Sequence, residues 1–373
     1  MSLIGWPLIC LLVAAALVVL VGTVWAWPKL AGRGVGIVVG RLGLLGLCQV
    51  LVLLTTLSLV NKQFGFYATW GELTGIGGGG APGPVIQNKG NGGALAGAKL
   101  IKLKPEFNLG GDPRQDGEVD TVNIRGARSG LHAHGYVYLP PEYFQPGGEK
   151  KHFPVALVMS GYPGAVRNLI SQVKVPQTAR TEIKAGRVKP TIYVMMRPSL
   201  AEGRDTECMD IPGGPQVATF FSQDLPEAVA AQYRTATSRN GWGTLGLSTG
   251  GYCSLKLAMR YSNVFSAAAS MSGYYGAIKD VTTGDLYAGS DAVRNENDLF
   301  WRLKNLPPPP VSVLVTTSKV GEQNRVGTDR FLSMVKPPMQ AASITLDSGG
   351  HNFGTWNKVL PPILRWMSQR LTA

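Results

Sequence analysis

Trp242-Gly-Thr-Leu-Gly-Leu-Ser248-Thr-Gly-Gly-Tyr-Cys253 is the stretch on which the reading of the chain turns. It opens as a short apolar strand, and Ser254-Leu-Lys-Leu-Ala-Met-Arg260 after it has the composition of a helix. Between them Gly246, Ser248 and Gly250 spell G-x-S-x-G. In a strand–turn–helix context this is a nucleophile elbow, with the serine hydroxyl lifted clear of a sheet. A Cβ two residues to either side would collide with neighbouring backbone. With 48 glycines in the chain the string alone could arise by chance. The flanking strand and helix, and an acid and histidine in suitable order downstream, decide for Ser248 as a nucleophile.

Outward from the elbow, strands and helices alternate. Residues 118–124 and 131–139 read as two strands joined by a turn-rich connection. Phe153–Met159, Pro190–Met196, Gly243–Leu247, Phe265–Ser272, Val311–Thr317 and Ala342–Asp347 read as further strands, the first of them apolar enough for burial on both faces. Thr178–Ala185 is weakly helical. Gln223–Tyr233 reads as a helix with Asp224 complementing its dipole. A closing helix carries Val359, Leu360, Ile363, Leu364, Met367 and Leu371 at helical spacing, and Pro361-Pro362 kinks it or marks its first turn. These strand–helix units, with an antiparallel pair at the start, imply a mostly parallel eight-stranded sheet with helices on both faces.

Residues 3–27 carry no charge, and 42–60 form a second apolar run, each near the roughly 20 residues that cross a bilayer. A cleaved signal peptide fits the first run poorly, since no Lys or Arg precedes it and no A-x-A site follows. The expectation is a transmembrane helical hairpin over 1–63, a juxtamembrane segment and Gly/Pro-rich linker over 64–115 (Gly71–Gly97 the tether), and a catalytic domain over 116–373. Lys29, Arg33 and Arg41 sit between or at the edges of the spans, so the positive-inside rule puts that connection in the cytoplasm and both termini outside. Phe64, Phe66, Tyr67 and Trp70 suit the outer headgroup region. The bilayer is the expected lipid partner.

The net charge of +13 is accounted for by anchoring residues and a basic surface. Lys174, Arg180, Lys184, Arg187 and Lys189 either face anionic lipid or polymer or form a solvated helix face, the commoner case. No stacking or finger motif supports nucleic-acid binding. Cys10 and Cys48 fall in the apolar runs. Cys208 and Cys253 are expected to pair, because an extracytoplasmic domain permits a disulfide and both lie at the top of such a sheet.

A serine needs a base, and the chain has four histidines. His351, in Asp347-Ser-Gly-Gly-His-Asn-Phe-Gly354, follows the last strand, on the sheet edge where α/β enzymes place ligand groups. His132 and His134 share a strand face but have no carboxylate or thiol cluster beside them, so a structural role is expected and no metal or cofactor is implied. For the acid that steadies the histidine, Glu322 sits just past the strand ending at Thr317, ahead of Asp329 and the more constrained Asp347. The oxyanion donors are expected to be the backbone N–H groups of Thr249 and Tyr162, Pro163 having none.

These residues resemble the esterase D and antigen 85 mycolyltransferase group of α/β-hydrolases over roughly residues 118–371. The resemblance rests on Ser160-Gly-Tyr-Pro-Gly164, Gly246-Leu-Ser-Thr-Gly-Gly251, Ala268-Ala-Ser-Met-Ser-Gly273, and Gly349-Gly-His351-Asn-Phe with Trp356. Arg204-Asp-Thr-Glu-Cys208 and Pro212-Gly-Gly-Pro215 make it similar to actinobacterial membrane-anchored members. Ser160 stands where many relatives carry histidine. The resemblance implies ester hydrolysis or acyl transfer through a Ser-His-acid triad. The expected substrate is an ester or acyl lipid, with Tyr274, Tyr275 and the 205–215 loop bordering the cleft. The rivals are an acyltransferase to an envelope lipid or glycan hydroxyl and a catalytically silent binding module of the same fold.

Overall fold

Val155–Met159 shows how the sheet is filled. All five residues are buried, and period-two alternation sends Val155, Leu157 and Met159 to one face and Ala156 and Val158 to the other. The first face packs against helices Leu225–Gln232, Thr249–Arg260 and Arg325–Met334, the second against Val175–Lys184 and Phe353–Ser368. The computed structural model describes residues 3, 5–64, 70, 97–201, 203–322 and 324–373, in two units, Met1–Val85 and Ile86–Ala373.

The second unit carries the α/β-hydrolase sheet. Its strands are β1 (Lys99–Lys102), β2 (Glu118–Arg125), β3 (His132–Leu139), β4 (Val155–Met159), β5 (Ile192–Met196), β6 (Trp242–Leu247), β7 (Ala267–Met271), β8 (Ser312–Val320) and β9 (Gln340–Ser348). The order is β1-β2-β3-β5-β4-β6-β7-β8-β9, antiparallel through the β3–β5 pair and parallel from β5 onward. The sheet thus has nine strands, not eight. The additional one, Lys-Leu-Ile-Lys at the edge, lies in the stretch read by composition as linker; four residues with little burial give almost no periodic signal.

One helix departs from expectation, and in another an open alternative is decided. The chain is helical from Val217 to Gln232 with a wide turn over Phe220–Asp224, and Asp224 does not cap its helix. Its buried carboxylate instead accepts from the N–H groups of Arg128 and Ser129 and from the Ser129 hydroxyl, holding the β2–β3 turn. The closing helix runs through Pro361 and Pro362 and begins at Phe353, capped by Asn352. It is tied across its face by Glu182, whose carboxylate receives two hydrogen bonds each from Arg187 and Arg365.

The same pairing disposes of most of the basic cluster. Arg180 and Lys184 meet Asp116, and Arg187 meets Glu182. These three cations thus pair with carboxylates at the surface of the fold.

In the first unit, helices Trp6–Ala26 and Val35–Phe64 are long and apolar enough to cross a bilayer. The second starts ahead of Arg41 and extends beyond the expected 42–60. Arg41 is stacked over Trp27. Residues Phe66 and Tyr67, and 71–96 of the expected tether, lie outside the described residues.

The Arg187 and Arg365 hydrogen bonds hold the Glu182 carboxyl near 2, below its ordinary 4.5. A depressed carboxyl stabilises the fold above its unfolded value and loses that contribution as pH falls through the folded one. Glu182→Ala is therefore expected to lower the melting temperature at pH 7. The gap to wild type should close between about pH 4.5 and 2, read from melts over that range.

Candidate active site

Ser248 joins β6 to the helix Thr249–Arg260 with φ 56° and ψ −125°, left-handed territory that a side-chain-bearing residue enters only when its surroundings compel it. The compulsion is close backbone packing. A Cβ on Gly246 would lie 2.1 Å from Gly250 O, and one on Gly250 would lie 2.3 Å from Ser160 O. Gly161 passes so near that its Cβ would sit 3.0 Å from the Ser248 Cβ. The loop bearing Tyr162 is thereby held beside the serine. Ser160 closes this loop on itself, its hydroxyl donating to Gly164 O at 3.2 Å. Thr249 is the first residue of the helix, where an N–H has no intrahelical acceptor and points toward incoming negative charge.

His351 Nε2 lies 2.9 Å from Ser248 Oγ. The imidazole keeps an edge in solvent while its ring stands edge-on to Trp356 at 5.1 Å, and Trp356 Nε1 donates to Ser272 Oγ at 3.1 Å. Burial of the ring lowers the His351 pKa, and the Glu322 charge opposes that shift. Gly321, at φ +94°, lets the Glu322 loop approach the histidine loop; a Cβ there would fall 2.8 Å from Gly349 O. Among the described residues no hydrogen bond joins Glu322 to His351, and Glu322 Oε2 is buried without a partner. The two other acids point elsewhere: Asp329 faces Arg325 at 3.7 Å, and Asp347 faces Lys319 at 2.7 Å from an exposed position. His132 is exposed and His134 faces Glu106 at 3.7 Å; among the described residues no cluster could hold a metal.

Residues 127–367 match the model of the family described as "Putative esterase". The chain belongs to this esterase family. A Corynebacterium glutamicum protein of uncharacterised function is 24% identical over 274 residues, 69% of this chain, which spans 63% of that relative's length. A ferulic acid esterase superposes with TM-score 0.58 at 19% identity, covering 69% of this chain and 99% of its own. An S-formylglutathione hydrolase from Agrobacterium tumefaciens gives 0.59 at 14% identity, covering 74% and 100%. The Staphylococcus aureus fluorophosphonate-binding serine hydrolase F gives 0.55 at 15%, covering 68% and 98%. At these identities the likeness is one of fold.

Within this esterase-family site, Cys208 and Cys253 are joined by a disulfide with Cα atoms 5.9 Å apart. Tyr274 stacks on Tyr252, donates its hydroxyl to Glu207 and comes within 3.5 Å of Thr249 Oγ1, leaving part of its ring exposed. Tyr275 departs from expectation. It is 2% exposed, stacked on Phe331 and bonded to Thr328 Oγ1, so it belongs to the core under Arg325–Met334 and not to the cleft.

Sequence reasoning passed over Asp205, Glu207 and Lys256 as individuals. All three are buried beneath the elbow, where Thr249 donates to Asp205 and Lys256 donates to the Glu207 carbonyl. Burial pushes the Glu207 carboxyl up and the Lys256 ammonium down. Their signal in the sequence is Arg204-Asp-Thr-Glu-Cys208, a cluster of charges beside a cysteine.

Since backbone atoms fill the space around Gly250, Gly250→Ala is expected to destabilise the fold by about 1–3 kcal/mol, the range for overpacking a filled interior. Denaturant unfolding monitored by tryptophan fluorescence measures it.

Proposed function

We propose that this chain is a serine esterase acting on carboxylic esters through Ser248, His351 and Glu322. The 2.9 Å contact between Ser248 Oγ and His351 Nε2 at a left-handed elbow carries this reading. Neutral His351 takes the Ser248 proton as Oγ attacks the ester carbonyl. The resulting oxyanion is received by the N–H groups of Thr249 and Tyr162, and imidazolium returns the proton to the departing alcohol. Water, activated by the same imidazole, releases the acid from the acyl-enzyme. Glu322 is the acceptor for the other imidazole nitrogen. In support, its charge acts on His351, and its buried Oε2 lacks any other described partner. Nothing in this sequence of steps calls on a cofactor.

The first unit serves as a membrane anchor with the catalytic unit outside the cytoplasm. In support, the two apolar helices pair antiparallel: Asn61 Nδ2 donates to Leu3 O at 3.4 Å, and Thr23 Oγ1 meets Cys48 Sγ at 3.6 Å. Leu17, Val18, Val21, Leu53 and Leu57 are left facing outward, as lipid-facing side chains are. Lys29, Arg33 and Arg41 mark the connecting end as the cytoplasmic one.

Ser248→Ala in the full chain in detergent is expected to cut turnover of a short p-nitrophenyl ester by about 10⁴-fold or more. Turnover at the wild-type level removes Ser248 from the chemistry. Because burial depresses the His351 pKa and the base acts when neutral, kcat/KM should fall on the acid side with an inflection below about 6.5. Glu322→Gln withdraws the opposing charge. It should move that inflection to lower pH while reducing turnover about 10²-fold or more, as a pH–rate profile would show.

A further inference from the structure

We infer that Asp205 is a positioning residue for the oxyanion pocket, acting through the side chain of Thr249. The inference rests on the preceding reading, in which Ser248 is the nucleophile and the Thr249 N–H receives the oxyanion.

Thr249, Cys253 and Lys256 are spaced i, i+4, i+7 and so line one face of the helix Thr249–Arg260. The segment Asp205–Cys208 lies along that face and grips each of the three. Thr249 Oγ1 donates to Asp205 Oδ2 at 3.2 Å. Cys208 is bonded to Cys253, and Lys256 Nζ donates to the carbonyl of Glu207. The segment is held in an unusual shape to do this, for Glu207 and Cys208 are consecutive non-glycine residues at φ 47° and 49°.

Asp205 is itself fixed from several directions. Its Oδ1 accepts from the Glu207 N–H at 2.9 Å, and its own N–H donates to Thr282 O at 3.0 Å. It is 3% exposed, and burying a carboxylate is costly unless its hydrogen bonds return the energy. The disulfide alone would hold the segment to the helix at its second turn. What Asp205 adds is a hydrogen-bonding grip on the side chain of the residue next to the nucleophile. Threonine is stiff at χ1, so holding Oγ1 restrains the first residue of the helix, the one whose N–H is the donor. An oxyanion donor stabilises the transition state only when aimed in advance at the position the charge will occupy.

The test is a double-mutant cycle on the full chain in detergent, reading kcat and KM for a p-nitrophenyl ester. Asp205→Ala and Thr249→Val should each lower kcat about 10- to 100-fold with KM within about twofold, since the affected interaction forms in the transition state. The double variant should be no slower than the slower single one, because both changes remove one contact. Thr249→Ser, which keeps the hydroxyl, should recover most of the loss in Thr249→Val. Thr249→Val is nearly isosteric and keeps the test readable where Asp205→Ala does not fold. Losses that multiply in the double variant, a change confined to KM, or wild-type kcat in Thr249→Val overturn the inference. Loss of activity in Ser248→Ala beside normal kcat in the Asp205 and Thr249 variants defeats this inference alone. Full activity in Ser248→Ala defeats the nucleophile assignment beneath it.

Discussion

The close passage of three backbone segments around Ser248 is the constraint on which the rest of the molecule depends. Gly246, Gly250 and Gly161 leave no room for a side chain at the crossing of β6, the helix after it and the loop after β4. A non-glycine residue in the left-handed region costs about 1–3 kcal/mol. That cost is tolerable only because the segments on either side cannot relax. All six residues of β6 are buried between β4 and β7, and the helix presents eleven buried residues from Thr249 to Met259. The sheet is in this sense a vice for one dihedral angle, and the direction of the hydroxyl follows from it.

Several buried or half-buried charges hold segments of this protein together. Glu182 joins its own helix to the closing one through Arg365 and also holds Arg187 in the turn beside it, and Asp224 secures a hairpin turn ninety-odd residues away in sequence. The segment under the elbow is bound by a buried acid, a buried lysine and a disulfide. These arrangements satisfy polar groups that burial would otherwise penalise, and they fix unique geometry where apolar packing would allow sliding.

Sequence alone carried the architecture wherever a regular signal existed. Buried strands such as Val155–Met159 announce themselves by unbroken apolar runs, and the elbow by glycines at fixed offsets. His351 was found because only four histidines were available and one follows the last strand. What escaped notice lacked periodicity. β1 is four half-exposed residues recruited to an edge by its partner, and Tyr275 differs from Tyr274 only in which way the chain turns after β7. Asp205 and Thr249 lie forty-four residues apart, and their contact exists only once the loop has folded back over the helix. Local composition holds no trace of such a pairing.

The two strands that present Ser248 and His351 are unlike. β6 is wholly buried at the centre of the sheet, whereas β9 closes its margin with no residue fully buried. Local opening is easiest where few apolar contacts resist it. His351 stands between that margin and the buried helix Phe353–Ser368, so local opening of β9 would disturb its ring sooner than it would disturb the Ser248 hydroxyl.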